Sequence, residues 1–156
     1  MPGIDECLLE AMRLPGALGA GVVDWTSGLT LGTIGQSPND DHEATAAETA
    51  ELARMAAEHP AFRATAFGAT AFGATAFGAT APAGSGESGD ESGDGNDGGL
   101  SVEDVIVTTR TGYHLLHFVE TTFDSSVFLH LWLNRDEGNL ALARLRLRDL
   151  AERLVL

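Results

Sequence analysis

Val105-Ile106-Val107-Thr108-Thr109-Arg110 opens the stretch that decides the fold, and Thr111-Gly112 closes this first run. β-Branched residues dominate it, which suits a strand and not a helix. Tyr113 to Glu120 is a second run of the same kind, and Val127 to Leu133 a third. Asn134-Arg135-Asp136-Glu137-Gly138-Asn139 then breaks the pattern. From Leu140 to Leu154 the period changes. Leu140, Ala143, Leu147, Leu150, Ala151 and Leu154 share one helical face, flanked by Arg144, Arg146, Arg148 and Arg153. Three strands in succession and then a helix call for an antiparallel sheet with a helix folded back over it.

The same reading extends to the amino-terminal part. Ile4, Cys7, Leu8 and Ala11 stand at helical spacing in a short helix that runs to Leu14 and stops at Pro15-Gly16. Leu18 to Trp25 and Leu29 to Ile34 read as a hairpin around Asp24-Trp25-Thr26-Ser27-Gly28. Asp40 or Asp41 can cap a second helix, His42 to His59, which Pro60 ends. At roughly 100° per residue this helix has three sides. Glu43, Glu51, Arg54 and Glu58 face solvent. Thr45, Leu52 and Met55 form a side suited to the chain's own sheet. Ala46, Thr49, Ala50, Ala53, Ala56 and Ala57 form a broad side of small residues, suited to close approach by a partner helix.

Residues 65–100 have a different character. Thr65-Ala66-Phe67-Gly68-Ala69 recurs from Thr70 and again from Thr75, and such a period holds neither a helix face nor a strand face. A Gly/Ser/Asp/Glu/Asn tract follows, carrying Glu87, Asp90, Glu91, Asp94 and Asp97 and no basic residue. This segment reads as a disordered low-complexity insertion. It divides one domain into a first part, 1–64, and a second, 101–156.

Bulk properties exclude several function classes. The formal net charge is −14 over 156 residues, which repels phosphate backbones and anionic lipid. Nucleic acid and membrane are therefore not expected partners. There is no lysine, since every basic residue is arginine. That removes Schiff-base chemistry and the P-loop lysine. Cys7 is the only cysteine, so no internal disulfide forms. The acidic start, Met1-Pro2-Gly3-Ile4-Asp5-Glu6, is unlike a basic signal peptide. No apolar run approaches the roughly 20 residues of a membrane span. The expected compartment is the cytoplasm.

Candidate chemistry is sparse. Asp90, Ser92, Asp94 and Gly95 match the start of a calcium loop, but Ser101 stands where its closing glutamate belongs. Gly16, Gly19 and Gly21 run into a strand and do not open a helix, so no phosphate would meet a helix N-terminus. His114 and His117 point to opposite faces of one strand, and His130 on the next can pair with only one of them. Cys7 lies on an apolar helix face, as a core residue does. No catalytic group, metal site or cofactor is expected.

The element order is helix, two strands, helix, three strands, helix. With it, three motifs resemble the bacterial branch of the roadblock / dynein light-chain family. They are Leu14-Pro15-Gly16-Ala17 leading to Gly21-Val22-Val23-Asp24 with Ser27-Gly28-Leu29; Thr108-Thr109-Arg110-Thr111-Gly112-Tyr113-His114-Leu115-Leu116; and Leu133-Asn134-Arg135-Asp136 followed by Asn139-Leu140-Ala141-Leu142-Ala143-Arg144. The resemblance covers about 1–64 and 101–156. It implies an α+β fold, a five-stranded antiparallel sheet with the first and last helices on one face and the middle helix on the other. Longin domains are the nearest architectural alternative. It also implies homodimers that pair middle helices and abut third strands, and a non-catalytic role beside small Ras-like GTPases. A pure adaptor, like a motor light chain with no effect on nucleotide turnover, is the alternative. The family's dimer helix matches His42–His59 and its third strand Val102–Arg110. The expected homodimer surface is therefore Ala46, Ala50, Ala53 and Ala57 with Val105 and Val107.

Overall fold

The computed structural model describes residues 3–62, 101–120 and 126–154. The inferred insertion at 65–100, with its candidate calcium loop, lies outside the described residues. In chain order the elements are α1 (Ile4–Ala11), β1 (Ala17–Asp24), β2 (Thr30–Gly35), α2 (His42–Glu58), β3 (Asp104–Thr108), β4 (Gly112–Val119), β5 (Val127–Asn134) and α3 (Leu140–Arg153), with a 3₁₀ turn at Pro60–Phe62 after α2. The five strands form one sheet in the order β2-β1-β5-β4-β3. Every neighbouring pair is antiparallel. The α+β fold with helices on both faces is therefore observed as expected.

Strand alternation assigns the two faces. Leu129, Leu131 and Leu133 of β5, Leu115 of β4 and Val22 of β1 point to one side, where they are buried with Cys7, Leu8 and Ala11 of α1 and Ala143, Leu147 and Leu150 of α3. Phe128, Leu116, Phe118 and Val23 point to the other, where they meet Ala46, Ala50 and Ala53 of α2. The periodicity of α1 and α3 thus predicts their buried faces correctly.

Local chemistry fixes the ends. Asp41 caps α2, its side chain accepting from the amides of Glu43 and Ala44. Asn139 caps α3 by accepting from the amide of Leu142 at 3.0 Å. Gly16 has φ +76° and lies so close to the next loop that an added Cβ would sit 2.6 Å from the Gly138 nitrogen, a position that only glycine fills without strain.

Candidate protein-binding face

The three motifs behind the family resemblance meet at one end of the sheet. The Asn134 amide donates to the Gly16 carbonyl at 2.7 Å, and the Arg135 amide to the Thr111 carbonyl at 3.0 Å. The Arg135 guanidinium donates to the Thr109 carbonyl and lies 5.9 Å from the Tyr113 ring centre. These residues tie three loops together by main-chain hydrogen bonds, so their part in the molecule is architectural. Sequence separation hides this, because the partners are far apart until the strands pair.

The helix α2 is turned differently from the sequence expectation. Ala46, Ala50 and Ala53 are 3%, 1% and 0% exposed and lie against the chain's own sheet with Phe118 and Phe128. They are unavailable to a second subunit. Met55, expected on the sheet, is 57% exposed, and Leu52 is half-buried. The reason is volume. The sheet already supplies bulky aromatic rings on this side, so the helix that covers them must bring small side chains to approach closely. Ala57, Val105 and Val107 remain half-buried and reachable.

The large apolar residues cluster where α2 ends. Leu52, Met55, Ala56, Phe62, Val102 and Val105 line a groove of about 370 Å³ between α2 and β3. Phe62 is 56% exposed. Beyond the groove the α2 side of the sheet is only partly covered. Val107, His114 and Trp132 stand directly across from one another on β3, β4 and β5, and each is half-buried.

This groove lies beside the β3 edge of the sheet. Among the described residues β3 pairs with β4 alone. The Phe118 amide donates to the Glu103 carbonyl and the Thr109 amide to the Gly112 carbonyl. By the alternation of an antiparallel ladder, Val105 and Val107 then spend their main-chain groups on β4, while Asp104, Ile106 and Thr108 direct theirs outward. A row of unpaired main-chain donors and acceptors is a template for another strand. The strand's acidic side chain, Asp104, is bonded to the Arg144 guanidinium at 2.6 Å.

Histidines form no metal centre here. His114 Nδ1 and His130 Nε2 are 3.0 Å apart, and the rings lie within 10° of parallel with centres 5.3 Å apart. That separation is close to the nitrogen–nitrogen distance plus the radii of two imidazole rings. The nitrogens therefore meet head-on as donor and acceptor and do not converge on a third point. Burial lowers both pKa values, His130 to about 3 with the nearby His114 and His42 adding to the effect. His117 points to the α3 side, as strand parity requires, and is also held low by burial. Among the described residues, no group of three or more His, Cys, Asp or Glu side chains could hold a metal ion.

The fold is roadblock-like. No protein-family model matches the sequence, and no curated protein matches it significantly. Solved structures do match. The chain is similar to Myxococcus xanthus MglB at 15% identity and a TM-score of 0.60, covering 96% of this chain and 82% of that one. It is similar to a Roadblock/LC7 domain from Streptomyces avermitilis at 16% identity and a TM-score of 0.58, covering 97% and 93%. It is also similar to MglB in a tetrameric arrangement, at 15% identity and a TM-score of 0.58, covering 96% and 82%. At this identity the likeness establishes the fold. Among the described residues, no helix is long and apolar enough to cross a membrane.

Proposed function

We propose that this protein is a cytoplasmic, non-catalytic regulator or scaffold of a small Ras-like GTPase and that it acts as a homodimer. The observation that carries the dimer is the apolar groove between α2 and β3, beside a β3 edge that carries no second strand among the described residues. Two copies abutting β3 about a two-fold axis would satisfy Asp104, Ile106 and Thr108 and extend the sheet. Met55, Ala57, Val105 and Val107 would be covered, together with Phe62. The family resemblance and the fold shared with MglB support the GTPase partner. A dimer of this kind would act by binding one GTPase conformation better than another and shifting its population.

Light scattering tests the dimer. Val105→Asp places a carboxylate in the groove wall and should give monomers, and a dimer of unchanged mass would refute this interface. GTP hydrolysis by the Ras-like GTPase encoded nearest its gene, measured with and without the protein, tests regulation. Binding with no change in turnover would instead support the adaptor reading, and no binding would refute both.

A further inference from the structure

Four of the nine arginines lie within ten residues of α3, in a chain of net charge −14. The fold gives part of this cluster a destination. Leu142, Arg146, Asp149 and Arg153 recur along one side of α3 and face Glu10 and Arg13 at the end of α1 across a groove of about 480 Å³. Leu14, Leu142 and Leu150 supply its apolar lining.

The ion pairs decide its sign. Arg153 donates to Glu10 at 3.1 Å and to Asp149 at 3.0 Å, so one guanidinium occupies both carboxylates of the groove. Arg13 and Arg146 have no ion-pair partner among the described residues, and both are exposed. Arg144 and Arg148 are paired elsewhere, with Asp104 and Glu152. The groove therefore presents two unengaged guanidinium groups flanking apolar floor, on an acidic protein. Leu9 and Leu145, on the same two helices, are 56% and 66% exposed.

We propose that the α1/α3 groove binds an acidic amphipathic segment of another protein. Its carboxylates would meet Arg13 and Arg146, and its apolar side chains would lie on the leucines between them. Guanidinium groups bind carboxylates through paired, charge-assisted hydrogen bonds. A short segment fits where an extended polyanion does not. A nucleic acid or a bilayer would continue past the groove onto the exposed Asp5 and Glu6 of α1 and be repelled. The site lies on the opposite sheet face from α2, so it is independent of the homodimer.

The test uses the full chain and a fluorescein-labelled synthetic peptide with glutamates and leucines at helical spacing, read by fluorescence anisotropy. The expected result is saturable binding that weakens about tenfold in Arg13→Glu and in Arg146→Glu, with thermal midpoints unchanged. Arg110→Glu alters net charge equally from outside the groove and should weaken binding far less. Equal weakening by Arg110→Glu would overturn the proposal, because bulk charge would explain the binding. So would equal affinity for a peptide lacking the leucines. Binding of duplex DNA or phosphatidylglycerol vesicles in place of the peptide would overturn it as well.

Discussion

Ala53→Leu separates the two possible roles of the alanine stripe on α2. Ala53 is fully buried and belongs to the cluster that contains Phe118 and Phe128. Leucine adds three carbons where the sheet leaves no space, so α2 must lift or the rings must leave their rotamers, at a cost of about 1–3 kcal/mol. For a small protein the urea dependence is about 1–3 kcal/mol per molar, so a loss of about 2 kcal/mol lowers the midpoint by roughly 1 M. Unfolding should be followed by circular dichroism at two protein concentrations about tenfold apart, because dimerisation makes apparent stability depend on concentration. The expected result is the same drop at both concentrations, with unchanged mass by light scattering before the transition. Val105→Asp should do the reverse, reducing mass and abolishing the concentration dependence. If Ala53→Leu leaves the monomer's stability intact and only breaks the dimer, the stripe faces a partner and the orientation of α2 described above is wrong.

Gly16→Ala should destabilise by about 2 kcal/mol or more, since it combines a positive φ with a Cβ driven onto the Gly138 main chain; a thermal midpoint equal to wild type would contradict that geometry. Cys7 is fully buried and burial raises its thiol pKa to about 11, so a disulfide exchange reagent should react with it only after denaturant is added. The buried histidines predict acid sensitivity. With its folded pKa held near 3, His130 stays neutral in the native state at pH values where the unfolded chain takes up a proton. Stability is thus full above about pH 6.5 and falls by about 1.4 kcal/mol for each unit below it, toward pH 3. His130→Gln should flatten that slope in urea titrations at pH 7.5 and 5, and an unaltered slope would contradict the assignment.

Much of the fold was legible because strand parity and helix spacing are local properties. Val105–Arg110 and Tyr113–Glu120 anticipate β3 and β4 to within a residue or two. Parity also separates His117 from His114, although choosing His130 as partner of His114 requires the register. The orientation of α2 was not legible for a different reason. Its alanine side and its Leu52/Met55 side are both apolar, so periodicity alone does not say which one a sheet would take. The deciding fact is that Phe118 and Phe128 protrude to meet it, and they lie outside the helix. The groove holding Arg13 and Arg146 was hidden likewise, because α1 and α3 stand at opposite ends of the chain. The candidate calcium residues and the repeat fall outside the described residues.

A chain of net charge −14 can dimerise only where like charges do not oppose one another. On β3 the carboxylate at issue is Asp104, whose main chain lies on the outward side of the edge. Antiparallel pairing about Ile106 sets each Asp104 opposite Thr108 of the other copy and adds two carboxylates to a seam between acidic chains. Arg144 reaches from α3 to hold Asp104 at 2.6 Å, and the contact is reciprocal, since that hydrogen bond is what raises the Arg144 pKa. A residue of α3, outside the proposed interface, would thus make the edge neutral enough to pair. Arg144→Ala is then expected to weaken self-association while leaving the monomer folded, with added salt restoring much of the loss by screening the exposed carboxylates. Sedimentation velocity across a salt series reads this directly. An unchanged dimer affinity at low salt would show that the Asp104 carboxylates do not lie at the seam, and the two-fold pairing of β3 would have to be given up.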